Sequence, residues 1–432
     1  MTAPHIGGAD AAHRAIAGLG RDARARILSA LARRFGDLDL AEDMLQDAIV
    51  QALHSWSETG VPAVPEAWLT TTARRKGIDS LRRGRVRAAA LPRLRVEQDR
   101  GPVPEALEDP AQQDYDDEHA EIPDERLGLF FACAHPLLAP EDRIALTLRF
   151  LGGLSSAEVA QALLVPTATM QQRLVRAKRR IRTLGIAFTP PRRQDLGARL
   201  VGVQRVIYLL YTEGFVATGG ESHTREDLTG EAIRLARVLH GLIPGSAETT
   251  GLLALLLLTQ ARRPARLADD GRPVPLAAQD RALWDQALIR EGVALTEQAA
   301  ASPGAGPYAI QAAIAAVHAE APAAESTDWA QIAVLYDMLR THDDGPVVLL
   351  GRAVARGKAR GPETGLRELD ALAEDPVLSR FRPFHTARGL TLEQLGDHGA
   401  AAAAYRRALE LPGNQAEEGF LAAALAGVEG EA

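Results

Sequence analysis

A chain of 432 residues is too long for one small core and points to two to four domains. Its 46% apolar share can build packed interiors, while 4% aromatics and no long period-two Val/Ile/Thr runs exclude a strand-rich fold and favour helices. The single cysteine, Cys133, excludes an internal disulfide, and a net charge of −7 weighs against nucleic-acid binding unless charge is segregated along the chain.

The N-terminal segment lacks the apolar stretch of a signal peptide. The longest strongly apolar run, Leu252 to Leu258, is far short of the roughly 20 residues that span a bilayer. A cytoplasmic protein with no membrane segment is expected, with Cys133 a small core residue among Phe130, Phe131 and Ala134.

Helical spacing starts at Ala23 to Phe35. A second helix, Leu40 to Trp56, puts Leu40, Met44, Leu45, Ala48, Ile49, Ala52, Leu53 and Trp56 on one stripe, with Asp39 as its expected N-cap. Gly60 to Val64 breaks the pattern, and a third helix is expected from Pro65 to Arg83. Its inner stripe reads Trp68, Leu69, Thr72, Ile78 and Leu81. Arg74, Arg75, Lys76, Arg82 and Arg83 remain outside, with Thr70 and Thr71 able to meet a base edge. Basic residues beside such groups suit single-stranded DNA.

Charge is indeed blocked. Residues 70–100 hold ten Lys/Arg against three acids, and residues 101–126 hold ten Asp/Glu against one Arg. The acidic block also carries Pro102, Pro104, Pro110 and Pro123, so a loosely ordered linker is expected there.

Helices follow near Pro123–His135, Pro140–Phe150, Ser155–Leu163 and Pro166–Leu184. Ser155 and Glu158 fit a capping box, a turn at Leu164–Pro166 follows, and Thr167 is placed to cap the next helix. This is the layout of a helix-turn-helix. The N-terminal half of the second helix, which enters the major groove in such motifs, carries Thr169, Gln171, Gln172 and Arg173. Gln and Arg can read base edges bidentately. Arg176, Lys178, Arg179, Arg180 and Arg182 follow without one acid, a run that phosphates attract.

These motifs together make residues 10–185 resemble an extracytoplasmic-function (ECF) sigma factor of the sigma-70 family. Asp39 to Ala48 is similar to the segment of that family that docks on core RNA polymerase. Ala67 to Arg83 is similar to the segment that melts and reads the −10 element, and Leu154 to Arg182 to the segment that reads the −35 element. The resemblance implies polymerase contacts at Asp43, Gln46 and Asp47. It implies −10 contacts at Trp68, Thr71, Arg74, Arg75, Lys76, Arg82 and Arg83, although many members carry Asn where Arg75 stands. It implies −35 contacts at Thr167, Thr169, Gln171, Gln172, Arg173, Arg176, Lys178 and Arg179. The implied partners are promoter DNA and core RNA polymerase, through its β′ clamp helices and β flap.

From about Asp195, helical stretches of 10 to 20 residues alternate with Gly/Pro turns, ten of them between Leu196 and Leu411. Tyr208–Phe215, Asp227–Arg237 and Thr327–Ile332 resemble the ECF subgroup that carries a long helical extension related to tetratricopeptide (TPR) repeats. Ala387, Gly389, Leu392 and Leu395 on one helix, and Ala401, Ala404, Tyr405, Ala408 and Leu409 on the next, fit paired helices in close approach, closed by Pro412. Such arrays bind peptides or proteins, so a protein partner is expected for the extension.

The histidines from His223 to His398 lack metal-ligand spacing, and no nucleophile elbow, HExxH, CxxC or P-loop occurs. No enzyme activity, metal or cofactor is expected. Glu213 and Asp227 are read as structural. The expected fold is all-α: sigma region 2 at 10–87, an acidic linker at 88–122, a helix-turn-helix region 4 at 123–188 and a TPR-like array at 195–432. The competing reading is a helix-turn-helix regulator that binds duplex DNA without joining polymerase.

Overall fold

The computed structural model describes residues 6–78, 82, 126–163, 165–215, 226–268, 273–412 and 415–431. The expected linker at 88–122 lies outside them, as do Leu81 and Arg83. The chain forms two compact units, Met1–Val206 and Ile207–Ala432. Both are helical; among the described residues the sole β feature is an isolated bridge between Leu267 and Pro273.

The first unit opens with α1 (Ile6–Ala17), α2 (Arg21–Phe35), α3 (Leu38–Thr59) and α4 (65–78). The α2–α3 corner is sharp because Gly36 takes a left-handed φ of 69° and Asp37 caps the next helix, accepting from the backbone N–H of Asp39 and Leu40. Asp37 therefore holds the capping place expected of Asp39, which lies inside the first turn. The α3 stripe buries Ala41, Met44, Leu45, Ala48, Ala52 and Trp56, and the Trp56 ring meets Trp68 edge-on at 5.3 Å. On α4, Leu69, Ala73 and Gly77 face inward. A Cβ at Gly77 would lie 2.0 Å from the Met44 sulfur and 2.8 Å from the Phe35 ring, so a larger residue would have to displace both side chains. Ile78, expected inside, is 49% exposed.

The same unit continues with α5 (Arg126–Cys133), α6 (Pro140–Leu146), a π turn (Thr147–Leu151), α7 (Ser156–Ala162) and α8 (Thr167–Thr183), before α9 (Arg193–Phe215). Helix α5 is buried from Leu127 to Cys133 and packs against α2 and the π turn. Cys133 is fully buried, and desolvation pushes its thiol pKa far up, leaving a packing role. Pro166, not Thr167, sits at the N-cap of α8, and no side chain bonds there.

The second unit stacks helices in chain order. They are α10 (Glu226–Leu242), α11 (Ala247–Ala261), α12 (Gln286–Ala301), α13 (Pro307–Glu320), α14 (Trp329–Leu339), α15 (Pro346–Arg360), α16 (Pro362–Ala371), α17 (Arg382–Gln394), α18 (His398–Leu409) and α19 (Gln415–Glu431). Each packs on the next, and α11 also packs on α13, as in a solenoid. Helices α1 and α19 had no counterpart among the expected elements.

Small residues set the close approaches. A Cβ at Gly251 would lie 2.6 Å from the Ala309 backbone nitrogen, joining α11 to α13, and one at Gly389 would lie 2.5 Å from the Tyr405 ring, joining α17 to α18. Glu248 on α11 accepts from the backbone N–H of Gly306, Tyr308 and Ala309, which places a carboxylate at the positive end of α13. Among the described residues no helix is long and apolar enough to cross a membrane.

Candidate nucleic-acid and polymerase interface

Helix α4 presents Thr71, Arg74 and Arg75 to solvent, with Lys76 and Trp68 half-buried and Arg82 exposed beyond it. Arg83 lies outside the described residues. Leu69, Ala73 and Gly77 hold the helix to α3, so its opposite side is a cationic ridge with an aromatic at its start. Glu66 is withdrawn from that ridge: it accepts two 2.7 Å hydrogen bonds from Arg26 on α2. An exposed basic ridge with a nearby indole can hold a phosphate backbone and stack a base.

The helix-turn-helix is locally encoded. The Glu158 carboxylate accepts from the Ser155 N–H at 2.6 Å, and the Ser155 hydroxyl accepts from the Glu158 N–H at 3.1 Å, which is the expected capping box. The hydrogen bond from the Ser155 backbone holds the Glu158 pKa below its ordinary value. On α8, Met170, Leu174, Ala177 and Ile181 are buried and fix the helix against the unit. Thr167, Thr169, Gln171, Gln172, Arg176 and Arg179 are exposed, and Arg173 is half-buried. Arg173 and Arg176 lie close enough to Asp142 on α6 to oppose the burial that raises its pKa. The six outward side chains supply the donors and acceptors that a major groove reads.

On α3, Asp43, Gln46 and Asp47 are exposed. One turn earlier the same helix is occupied. Glu42 pairs with Arg149 of the π turn and lies 3.1 Å from the Lys178 ammonium. Asp39 lies 2.5 Å from Lys178, and Arg182 bridges Asp37 at 2.8 Å and Asp39 at 2.9 Å. Burial pulls the Lys178 pKa down, but the carboxylates of Asp39 and Glu42 outweigh it and leave it raised; the Asp37 hydrogen bond raises Arg182 likewise. Thus Lys178 stands apart from the outward residues of α8, against the acidic start of α3. The sequence pattern marks Asp39 as a cap and puts it with Glu42 in the run that resembles the polymerase-docking segment, and it gives no role to Arg149 or Asp37. The available signal was charge complementarity between an acidic helix start and an acid-free basic helix end.

No group of His, Cys, Asp and Glu among the described residues could hold a metal ion. Arg281 donates to the backbone oxygens of His318 (2.6 Å) and Ala321 (2.5 Å) at the end of α13, and Arg266 stacks 3.5 Å over Phe215. Glu213 is half-buried, and the side chain of Asp227 lies outside the description.

Residues 21–87 match the Sigma-70 region 2 family and residues 131–181 the Sigma-70 region 4 family. Residues 199–300 match a family of unknown function, DUF6596. An uncharacterized protein of Rhizobium meliloti (strain 1021), R00370, is 41% identical over 408 residues, 92% of each chain. The ECF RNA polymerase sigma factor SigE of Mycolicibacterium smegmatis is 31% identical over 158 residues, 35% of this chain and 53% of that one. No solved structure matches. With a cationic α4 and a capped, basic helix-turn-helix falling inside the two matched regions, in that order, the chain belongs to the sigma-70 family as an ECF-type RNA polymerase sigma factor that directs promoter recognition and transcription initiation.

Proposed function

We propose that α3 docks on the β′ clamp helices of core polymerase through Asp43, Gln46 and Asp47, while region 4 meets the β flap. Helix α4 and the residues that follow it in sequence hold the −10 element through Trp68, Thr71, Arg74, Arg75, Lys76, Arg82 and Arg83. Helix α8 reads the −35 element through Thr167, Thr169, Gln171, Gln172 and Arg173, and grips phosphates through Arg176, Lys178 and Arg179. The boundaries are those expected from sequence: region 2 at 10–87, linker at 88–122, region 4 at 123–188 and extension at 195–432. The protein has no catalysis of its own and works in the cytoplasm. The extension is the regulatory part, a TPR-like surface for a protein partner.

The observation that carries this reading is the exposure of acids on α3 beside two separate cationic helices. An acidic helix face suits a basic partner surface, and cationic helices suit DNA. In vitro transcription with core polymerase over a promoter library tests it. Full-length protein should start RNA from a subset of templates, and Asp43→Arg or Asp47→Arg should abolish co-elution with core. A chain truncated at Pro190 that transcribes unchanged from the same promoters would refute the role given to the extension.

A further inference from the structure

The second unit draws several cations together around the end of α11. Arg262 follows that helix directly, Arg266 lies one turn beyond, Arg281 opens the short helical turn Arg281–Leu283, and His318 stands near the end of α13. Arg266 is buried, and Arg262, Arg281 and His318 are half-buried. Other arginines withdrawn from solvent in this unit meet carboxylates: Arg356 meets Asp337 and Glu368, and Arg382 meets Glu417 and Glu418. Around Arg262 the cations act on one another instead. Burial first, then Arg262 and Arg281, lower the His318 pKa to about 4. Burial and then Arg262 lower that of Arg266 to about 10.

The guanidinium groups are committed differently. Arg266 donates to the Phe215 carbonyl at 2.7 Å, and Arg281 to the carbonyls of His318 and Ala321, so backbone acceptors fix both without neutralising them. The Arg262 side chain has no hydrogen bond and no ion pair among the described residues. Burial and then Arg281 lower its pKa, with Tyr211 opposing. Burial keeps Tyr211 a neutral hydroxyl, so it brings no negative charge of its own. Acceptors are scarce around it as well: Trp284 Nε1, Arg281 Nε and His318 Nδ1 are buried without a hydrogen-bond partner. A cation withdrawn from water without a counter-ion is strongly unfavourable. The negative end of α11 suits one cation but does not explain three.

We propose that Arg262 is the seat of an oxyanion site in the extension, which takes a small organic anion by its carboxylate or phosphate. The uncommitted fork of Arg262 meets two oxygens of the anion side by side. Arg266 and Arg281, held in place by backbone carbonyls, add positive field without competing for the same oxygens. A half-buried guanidinium suits a small solute better than the flat face of another protein. The site does not depend on the polymerase and DNA assignments, and it gives the extension a ligand besides a protein partner.

Calorimetric melting of the full-length protein reads the site, with sodium phosphate or sodium succinate at about 20 mM against sodium chloride of equal ionic strength. At least one of the two anions should raise the Tm of the wild type by roughly 2–4 °C, and the larger shift tells phosphate from carboxylate. Hydrogen exchange should place the added protection at the ends of α11 and α13, not in α4 or α8. Arg262→Met keeps an aliphatic stem and removes the charge. It should melt no lower than the wild type in chloride, because an unpaired cation is gone, and it should lose the anion's effect beyond general stabilisation by salt. Arg262→Lys keeps the charge without the fork and should retain less than about half of the shift. An equal shift in Arg262→Met, protection confined to α4 and α8, or no response of the wild type to either anion would overturn the proposal. A clearly lower Tm of Arg262→Met in chloride would make Arg262 a structural residue and overturn it too.

Discussion

The two units hold their charges in different ways. In the first, ion pairs such as Glu42–Arg149 and Asp39–Arg182 join residues more than a hundred positions apart and tie region 2 to region 4, beside the shorter Arg26–Glu66 pair. In the second, they join helices close in the stack: Arg356 with Asp337 and Glu368, Arg388 with Asp370 and Arg406 with Glu429 over 12 to 23 residues, and Arg237 with Glu291 over 54. Contacts of the first kind can part while each module keeps its own core. Those of the second kind are part of the stack, and losing a helix exposes the faces of its neighbours. The charges of the first unit thus join separate modules, and those of the second join helices within one stack.

The sharpest way to test that contrast is to overfill the array. A Cβ at Gly251 meets the backbone of Ala309 and Tyr308, which has no flexible end to swing away. Gly251→Ala should cost about 3 kcal/mol, even though alanine is the better helix former. Hydrogen exchange should rise across α11 to α13 and stay unchanged in α2 to α8. A uniform rise over both units would mean that the array is not an independent stack.

Acid should separate the units next. His318 sits against Trp329 at 5.1 Å, and burial with Arg262 and Arg281 nearby lowers its pKa to about 4. The folded array therefore prefers the neutral ring, while the unfolded chain takes up the proton near pH 6.5. Stability is complete above that pH and drains as pH falls towards 4, by up to roughly 3 kcal/mol. His318→Gln removes this slope. Identical acid sensitivity of variant and wild type in thermal unfolding would assign the loss elsewhere.

On α8, the residue proposed to grip phosphate should behave unlike those proposed to read base edges. Arg176→Ala should weaken binding by about 1 kcal/mol on every promoter and reduce the salt slope by about one contact. Gln171→Ala or Arg173→Ala should cost roughly 1–3 kcal/mol on preferred −35 sequences and little on others. Equal losses on all templates in competition assays would move these two residues to the phosphate class.

Much of this was legible in the residues because it is local. The α3 stripe of Met44, Leu45, Ala48 and Trp56 follows from a 3.6-residue period, and the Ser155–Glu158 box from a spacing of three. Ile78 was misread for a physical reason: the inner line of α4 runs Leu69, Ala73, Gly77, and a residue without a side chain leaves no apolar mark. Asp37 was passed over as a cap because Asp39, two residues on, fits the same pattern. The α3–α8 network was hidden because its partners are more than a hundred residues apart, and nothing in a linear pattern says which acidic helix start meets which basic helix end.

The smallest effect concerns the entry to the reading helix. Ser155 and Glu158 satisfy each other's backbone N–H at the start of α7, and no comparable side chain caps α8. Ser155→Ala should cost about 1 kcal/mol of stability, the usual worth of a cap. It should also raise the Glu158 pKa, because both Ser155 hydrogen bonds that lower it are weakened or lost. The functional consequence should be smaller still. Helix α8 is held by its own buried line, Met170, Leu174, Ala177 and Ile181, so loosening α7 changes how often the motif is ordered rather than what α8 reads. Affinity for all −35 sequences should fall together, by less than about threefold, with preference intact. A changed sequence preference in Ser155→Ala would mean that α7 aims α8 as well as supporting it.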